Sequence, residues 1–425
     1  MINKIFKTAI VFFFIYNVQL KGWPSLLSSR KIVFFIMLLY YVYKHDGQMK
    51  IRIFKDRNTV DTSICKIFNM AIFAILYVII ISLIQTILGT SMQGNTQLQR
   101  QIYFLIFGPI SWFLAKDMFD DTKKFMSSLF WATLIQCIIV ILEFHVFSFA
   151  QILNDVFEID AHITYMIRHR AAGIGAGDSL LAIDIFLGAV SCAYFLINSK
   201  NYIFYMASYI VIMYATMRSG TLGMIFCASL LFGTAVYCLV RNRVLRNFEI
   251  NCFILLGGLC IGILFPEVIM ELFESDIIIK FRSIFAEGVL NNETAKTLIT
   301  QDVASISVET LLGTGLYRGM TVSGIINMSD TGYLQNYFGL GLIVTIIFYY
   351  TIYSCMYKNI KKLKDPVIKF IMGYFFLAIM VAEAKEPYIY HHGELFVFFM
   401  IVYMEYKNNY KLIEEDSHVY TRIRA

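Results

Sequence analysis

The stretch "INMSDTGYLQNYFGLGL", residues 326–342, gathers an acid, glycines, tyrosines and amides at the head of an apolar run. The run continues to about residue 357, and a bilayer crossing takes roughly 20 such residues. Working outward from it, the same pattern recurs along the chain. Of 425 residues, 58% are hydrophobic and only 16% charged. A mean hydropathy of +0.65 is more than a soluble globule can hide. Apolar runs fall near 5–20, 31–43, 65–88, 101–116, 125–147, 179–197, 201–217, 220–240, 248–266, 332–357, 366–382 and 394–406. The reading is an all-α, polytopic helical integral membrane protein with about twelve transmembrane helices. Nine spans lie within residues 1–266 and three within 332–406. Between them, residues 267–331 form a large outer loop, and 407–425 a tail. The first run, "IFKTAIVFFFIYNVQL", has no small-residue cleavage site and reads as a retained span.

The net charge of +6 does not call for nucleic acid as a partner. Most of the basic residues fall in alternate loops, including "RNRVLRN" (241–247) and "KNIKKLKD" (358–365), which places those loops and both termini in the cytoplasm. The 8 cysteines sit in or beside apolar runs and no CxxC occurs, so neither a disulfide framework nor a metal cluster is expected. A loop as long as 267–331 is commonly functional. Its segments "PEVIMELFESDIIIKFRSIFAEG" and "DVASISVETLLG" read as helical pieces of a small lid.

On the outer side the arginines are few but clustered: Arg168, Arg170, Arg218, Arg282 and Arg318. The planar guanidinium grips two oxygens at once and keeps its charge, which suits phosphate; the blander role is anchoring or pairing with acids. "RAAGIGAGDSLLAID" (170–184) sets Gly173, Gly175 and Gly177 after Arg170, for helix packing or close approach of a ligand. Asp178 suits the cap of the next span. Asp184 lies nearly two turns inside it, where a carboxylate needs a function or an arginine. "GTGLYRGM" (313–320) is a glycine-rich turn carrying Gly313, Gly315 and Arg318, about ten residues before Asp330. Asp330 is either a general base for a sugar hydroxyl or the N-cap of the following span. Tyr333 and Asn336 would line the same mouth. "EAKEPYIYHHGE" (383–394) supplies Glu383 and His391 as alternative bases, or as interfacial residues.

The order of these features resembles the O-antigen polymerase (Wzy-type) and ligase superfamily of bacterial inner membranes. The matching pieces are "RHRAAGIGAGD" (168–178), "TMRSGTLG" (216–223), a long outer loop ending in "GTGLYRG", and a polar residue opening a span that holds Gly-x-Gly. The resemblance implies a multi-pass inner-membrane enzyme with its active site facing the periplasm. It would need no cofactor and no metal. Its substrates would be oligosaccharides linked to undecaprenyl pyrophosphate, in contact with membrane lipids. A chain-length regulator is a further expected partner. Residues 267–331 contain no His, which favours polymerase over ligase. Carried over by position, Arg170, Arg218, Arg282 and Arg318 become pyrophosphate binders and Asp330 the acceptor-site residue. A lipid-linked oligosaccharide flippase is the rival reading. It predicts two similar halves and short outer loops, and no internal repeat is evident.

Overall fold

A computed structural model of the chain describes residues 2–24, 27–45, 59–87, 93–158, 171–175, 179–240, 306–320, 325–327, 329–391 and 393–423. The expected span at 248–266, most of the outer loop, and Arg168, Arg170, Gly177, Asp178, Arg282 and His392 lie outside these residues. Within them the fold is helical apart from one small sheet. The first half runs α1 (Ile2–Tyr16), α2 (Ser29–Lys44), α3 (Thr59–Ile87), β1 (Gln93–Thr96), α4 (Gln97–Leu105), α5 (Ser111–Ala115), α6 (Thr122–His145), α7 (Phe147–Val156), α8 (Ser179–Asn198), α9 (Tyr202–Ser219) and α10 (Thr221–Val240). The second half runs α11 (Val308–Leu312), β2 (Leu316–Met320), β3 (Ile326–Asn327), α12 (Gly332–Leu340), α13 (Leu342–Lys362), α14 (Pro366–Glu383), a 3-10 turn (Tyr388–His391) and α15 (Gly393–Ile423). Among the described residues, four helices are long and apolar enough to cross a membrane: Val60–Ile87, Thr122–His145, Leu180–Asn198 and Pro366–Glu383.

Helix starts follow the sequence. Asp121 accepts the Lys124 amide at 2.7 Å to open α6. Asp365 accepts the Val367 amide at 2.7 Å, with Pro366 at the first helical position of α14. Burial separates the roles of the spans. Of the Leu180–Asn198 window 89% is buried, against 33% for Val60–Ile87. So α8 is the central post, contacting α1, α6, α9, α10, α14 and α15, while α3 turns its flank outward. Small residues allow the close packing: Gly188 lies against Thr133, and a Cβ on Gly223 would land on the Ala182 carbonyl.

Three expectations change. The run at 332–357 is two helices, not one span. The chain breaks at Gly341, where φ is +78° and a Cβ would stand 2.5 Å from the Leu311 carbonyl. Gly313, at φ +93°, presses on the break from the other side, and its Cβ would lie 2.5 Å from the Gly341 nitrogen. The carbonyls that α12 leaves unpaired at its end are taken by the glycine-rich turn. The Thr314 amide donates to the Phe338 carbonyl at 2.8 Å and the Gly315 amide to the Gly339 carbonyl at 3.0 Å. Secondly, the run at 101–116 is interrupted by a π-turn over Ile106–Ile110 containing Pro109, which cannot donate to the helical ladder. Thirdly, the end of the outer loop is not only helical. Strand β2 pairs antiparallel with β1 (Asn95 opposite Arg318, Gly94 opposite Gly319) and with β3 (Gly319 opposite Asn327).

Gly341→Ala combines an unfavourable positive φ, about 1–3 kcal/mol, with a backbone overlap. It should lower the thermal unfolding midpoint of the detergent-solubilised chain. Gly373→Ala, whose Cβ meets open space, should leave that midpoint unchanged or raise it.

Candidate functional site

The polar side chains of 326–342 converge with α4 and the 383–391 segment on one buried seam. Asn336 is its node. Its Oδ1 accepts from Gln97 Nε2 at 2.8 Å and from the Tyr390 hydroxyl at 2.7 Å, and its Nδ2 donates to the Tyr349 hydroxyl at 2.6 Å. The Tyr349 hydroxyl donates to Glu383 Oε1 at 2.6 Å, and the Ile389 amide to Glu383 Oε2 at 2.9 Å. Gln101 Nε2 donates to the Tyr390 hydroxyl at 2.6 Å. Gln97, Gln101, Asn336 and Glu383 have essentially no exposed surface. Gly332 opens α12 against Glu383; a Cβ there would sit on the Glu383 carboxylate. The carboxylate therefore faces the amino end of α12, where the helix dipole favours negative charge.

Arg100 brings charge to the seam. One nitrogen donates to Gln335 Oε1 at 2.6 Å, and Gln335 in turn donates to the Ser329 carbonyl at 2.8 Å. The guanidinium carbon lies 3.7 Å from the Tyr317 ring centroid and 4.9 Å from that of Tyr390. Its other terminal nitrogen, and the Oε1 atoms of Gln97 and Gln101, are buried without a hydrogen-bond partner. Burial lowers the Arg100 guanidinium from its usual value, against the upward pull of Tyr390 and Tyr317. Burial likewise raises the Tyr390 phenol. A cation, two aromatic faces and three unsatisfied amide or guanidinium atoms can accept a ligand that carries both oxygen acceptors and hydroxyl donors.

The mouth of the seam is Arg318 on β2, ion-paired with Asp330. Asp330 is 62% exposed and Arg318 39%, so both can meet a ligand. Asp330 is not the cap of the following helix. Thr331 occupies that position, and its side chain makes no capping bond. Gly313 and Gly315 shape the turn behind this mouth. The Tyr333 hydroxyl is engaged by Tyr353 at 2.8 Å and the Met380 carbonyl at 3.0 Å. Arg218 belongs elsewhere: it stacks 4.0 Å from the Phe144 ring centroid and donates to the Tyr214 hydroxyl at 3.3 Å. Its backbone carbonyl accepts from the Ala171 amide at 2.8 Å. Asp184 is buried within electrostatic reach of Arg30 and Glu394. Arg30, at the start of α2, gives its nitrogens to the Phe14 and Ile15 carbonyls and makes no ion pair with Asp184.

His391 stands between the two polar regions, within electrostatic reach of both Arg30 and Arg100. It is half-buried, not an open interfacial residue. Desolvation, then the two arginines, push its imidazole down to about 3. Among the described residues no three His, Cys, Asp or Glu side chains gather as metal ligands.

The composition of α4 held the signal for Arg100. In "QLQRQ" (97–101), Gln97, Arg100 and Gln101 recur at i, i+3 and i+4, a polar stripe at the head of an apolar run. No protein-family model matches the chain, no characterised protein is significantly similar to it, and no solved structure matches it significantly.

His391 is neutral in the native chain down to about pH 3, whereas the unfolded chain binds that proton near pH 6.5. Stability should therefore fall as pH drops through this interval, because the unfolded state takes up the proton first. His391→Gln should flatten that slope, read as the thermal midpoint against pH; equal slopes would mean His391 does not titrate this way.

Proposed function

We propose that the chain polymerises lipid-linked oligosaccharide units, as an O-antigen polymerase does, transferring the growing glycan from undecaprenyl pyrophosphate to a sugar hydroxyl of the next unit. The observation that carries this reading is the exposed Arg318–Asp330 pair at the mouth of a buried seam containing Arg100. In the proposed reaction the acceptor hydroxyl attacks the anomeric carbon and gives its proton to Asp330. The bond to the pyrophosphate oxygen breaks, and the electron pair leaves with that oxygen. Arg318, with Arg100 behind it, offsets the charge gathering on the leaving group. Arg168, Arg170, Arg218 and Arg282 are proposed to hold the lipid pyrophosphates. In this reading the chain spans the inner membrane about twelve times, with both termini cytoplasmic and residues 267–331 in the periplasm. No metal or cofactor takes part in the proposed chemistry.

Deleting the coding sequence in its host should collapse the surface-polysaccharide ladder to core plus one repeat unit. Loss of all repeats from core, with long polymer retained on the lipid carrier, would identify a ligase instead. Failure of repeat units to reach the outer face would identify a flippase. In the complemented strain, Arg318→Ala should cut chain elongation by about 10²–10³-fold, the usual cost of removing a group that stabilises developing negative charge. Asp330→Asn should also block it, while Lys385→Ala should give wild-type ladders at equal protein levels.

A further inference from the structure

A second buried polar cluster lies beside the seam and has no part in the chemistry above. It sits where α1 ends and α2 and α15 begin, against the middle of α8. Arg30 donates to the Phe14 carbonyl at 2.8 Å and the Ile15 carbonyl at 2.7 Å, closing the last turn of α1. Asp184 on α8 faces it, and a Cβ on Gly393 would stand 3.3 Å from Asp184 Oδ1. Glu394 is the next residue of α15. Arg30 interacts electrostatically with both acids, and the acids with each other.

The cluster is deeply buried: Arg30 is 9% exposed, Asp184 5% and Glu394 1%. Asp184 Oδ1 and both carboxylate oxygens of Glu394 lack a hydrogen-bond partner from any other residue; only the Glu394 amide lies within reach of its own carboxylate. Nearby on α6, Gln136 is fully buried and neither atom of its amide has a partner. Its Nε2 stands against Gly173, just ahead of α8.

Charge counting then decides what the cluster lacks. With both acids ionised, two negative charges face one positive, leaving a net charge of −1 and three oxygens without a donor from any other residue. An uncompensated buried charge is not tolerated; the group neutralises instead. Among the described residues no other neighbour supplies the missing charge. His391 is neutral, Tyr16 is a phenol held by Thr133 at 3.2 Å, Glu383 adds negative potential, and Arg100 is committed to the seam. A metal ion would find too few ligands, since no three metal-binding side chains meet among the described residues.

We infer that Asp184 and Glu394 together form a proton-binding site, holding one exchangeable proton between them so that the cluster with Arg30 is neutral when occupied. The proton comes from hydronium in the bulk and returns there, and no covalent bond other than O–H is made or broken. The site is independent of the polymerase reading.

The test is infrared difference spectroscopy on the full chain in lipid nanodiscs, stepped from about pH 5 to about pH 9. Free Asp and Glu are ionised above about pH 5. A protonated-carboxyl band should therefore persist at neutral pH in the wild type. Removing either acid leaves one negative and one positive charge, so the band should vanish in Asp184→Asn and equally in Glu394→Gln, not merely halve. Absence of the band from the wild type at neutral pH overturns the inference. So does its persistence in both variants, which would assign it to another buried acid such as Glu143. If the band is absent and sodium chloride raises the thermal midpoint over choline chloride, a metal cation fills the site and the proton does not. Absence of the band from the wild type overturns the inference whether or not a variant folds, and if one variant fails to fold, loss or persistence of the band in the other still decides its assignment.

Discussion

Glu383 has no contact with solvent, so everything that keeps its carboxylate in place must come from the protein. That single requirement organises the candidate site. One oxygen takes the Tyr349 hydroxyl from α13, and the other takes the Ile389 amide from the turn before α15. The start of α12 must then come close enough to face it, which only a residue without a side chain allows, and Gly332 stands there. Three elements are thereby fixed around one acid. Asn336, one turn along α12, passes the constraint on to Tyr390 and α4.

The break at Gly341 belongs to the same construction. A straight helix from 332 to 357 would carry its polar first turns on the axis of an apolar span. Bending the chain instead lets α12 lie against β2 and α11 while α13 goes on to pack against α3. The glycine-rich turn at 313–315 pairs with the end of α12, and the strand that follows carries Tyr317 under Arg100 and Arg318 out to Asp330. Shape and chemistry at the mouth thus share one backbone path.

Much of this was legible in the sequence, and the limits have physical causes. Apolar runs report which segments are helical and buried, because the hydrophobic period survives without knowledge of partners. Asp330 and Arg318 stand out in the sequence because an acid and a glycine-flanked arginine gather at the head of an apolar run. The sheet was not legible. "QGNT" (93–96) holds a single β-branched residue, Thr96, and no apolar alternation, and it is a strand only because β2 comes to pair with it. The polar stripe of α4 marks Arg100, but its partners Gln335, Tyr317 and Tyr390 are remote in the chain, so its role shows only in the fold. Asp184 is legible as an odd residue for an apolar helix, but its charged neighbours Arg30 and Glu394 are remote in the chain and only the packing reveals them.

The hydrogen bonds of the seam also impose an order on biosynthesis. Gln97 bonds a residue 239 positions later, Arg100 one 235 later, and Gln101 one 289 later. At a synthesis rate of about 5–20 residues per second, that separation is roughly 10–50 s of translation. For that interval α4 has left the ribosome with an arginine and two amides on one face and no partner in the chain yet made. It must wait in water, in the interface or against an insertion factor until α12 and the 388–391 turn arrive.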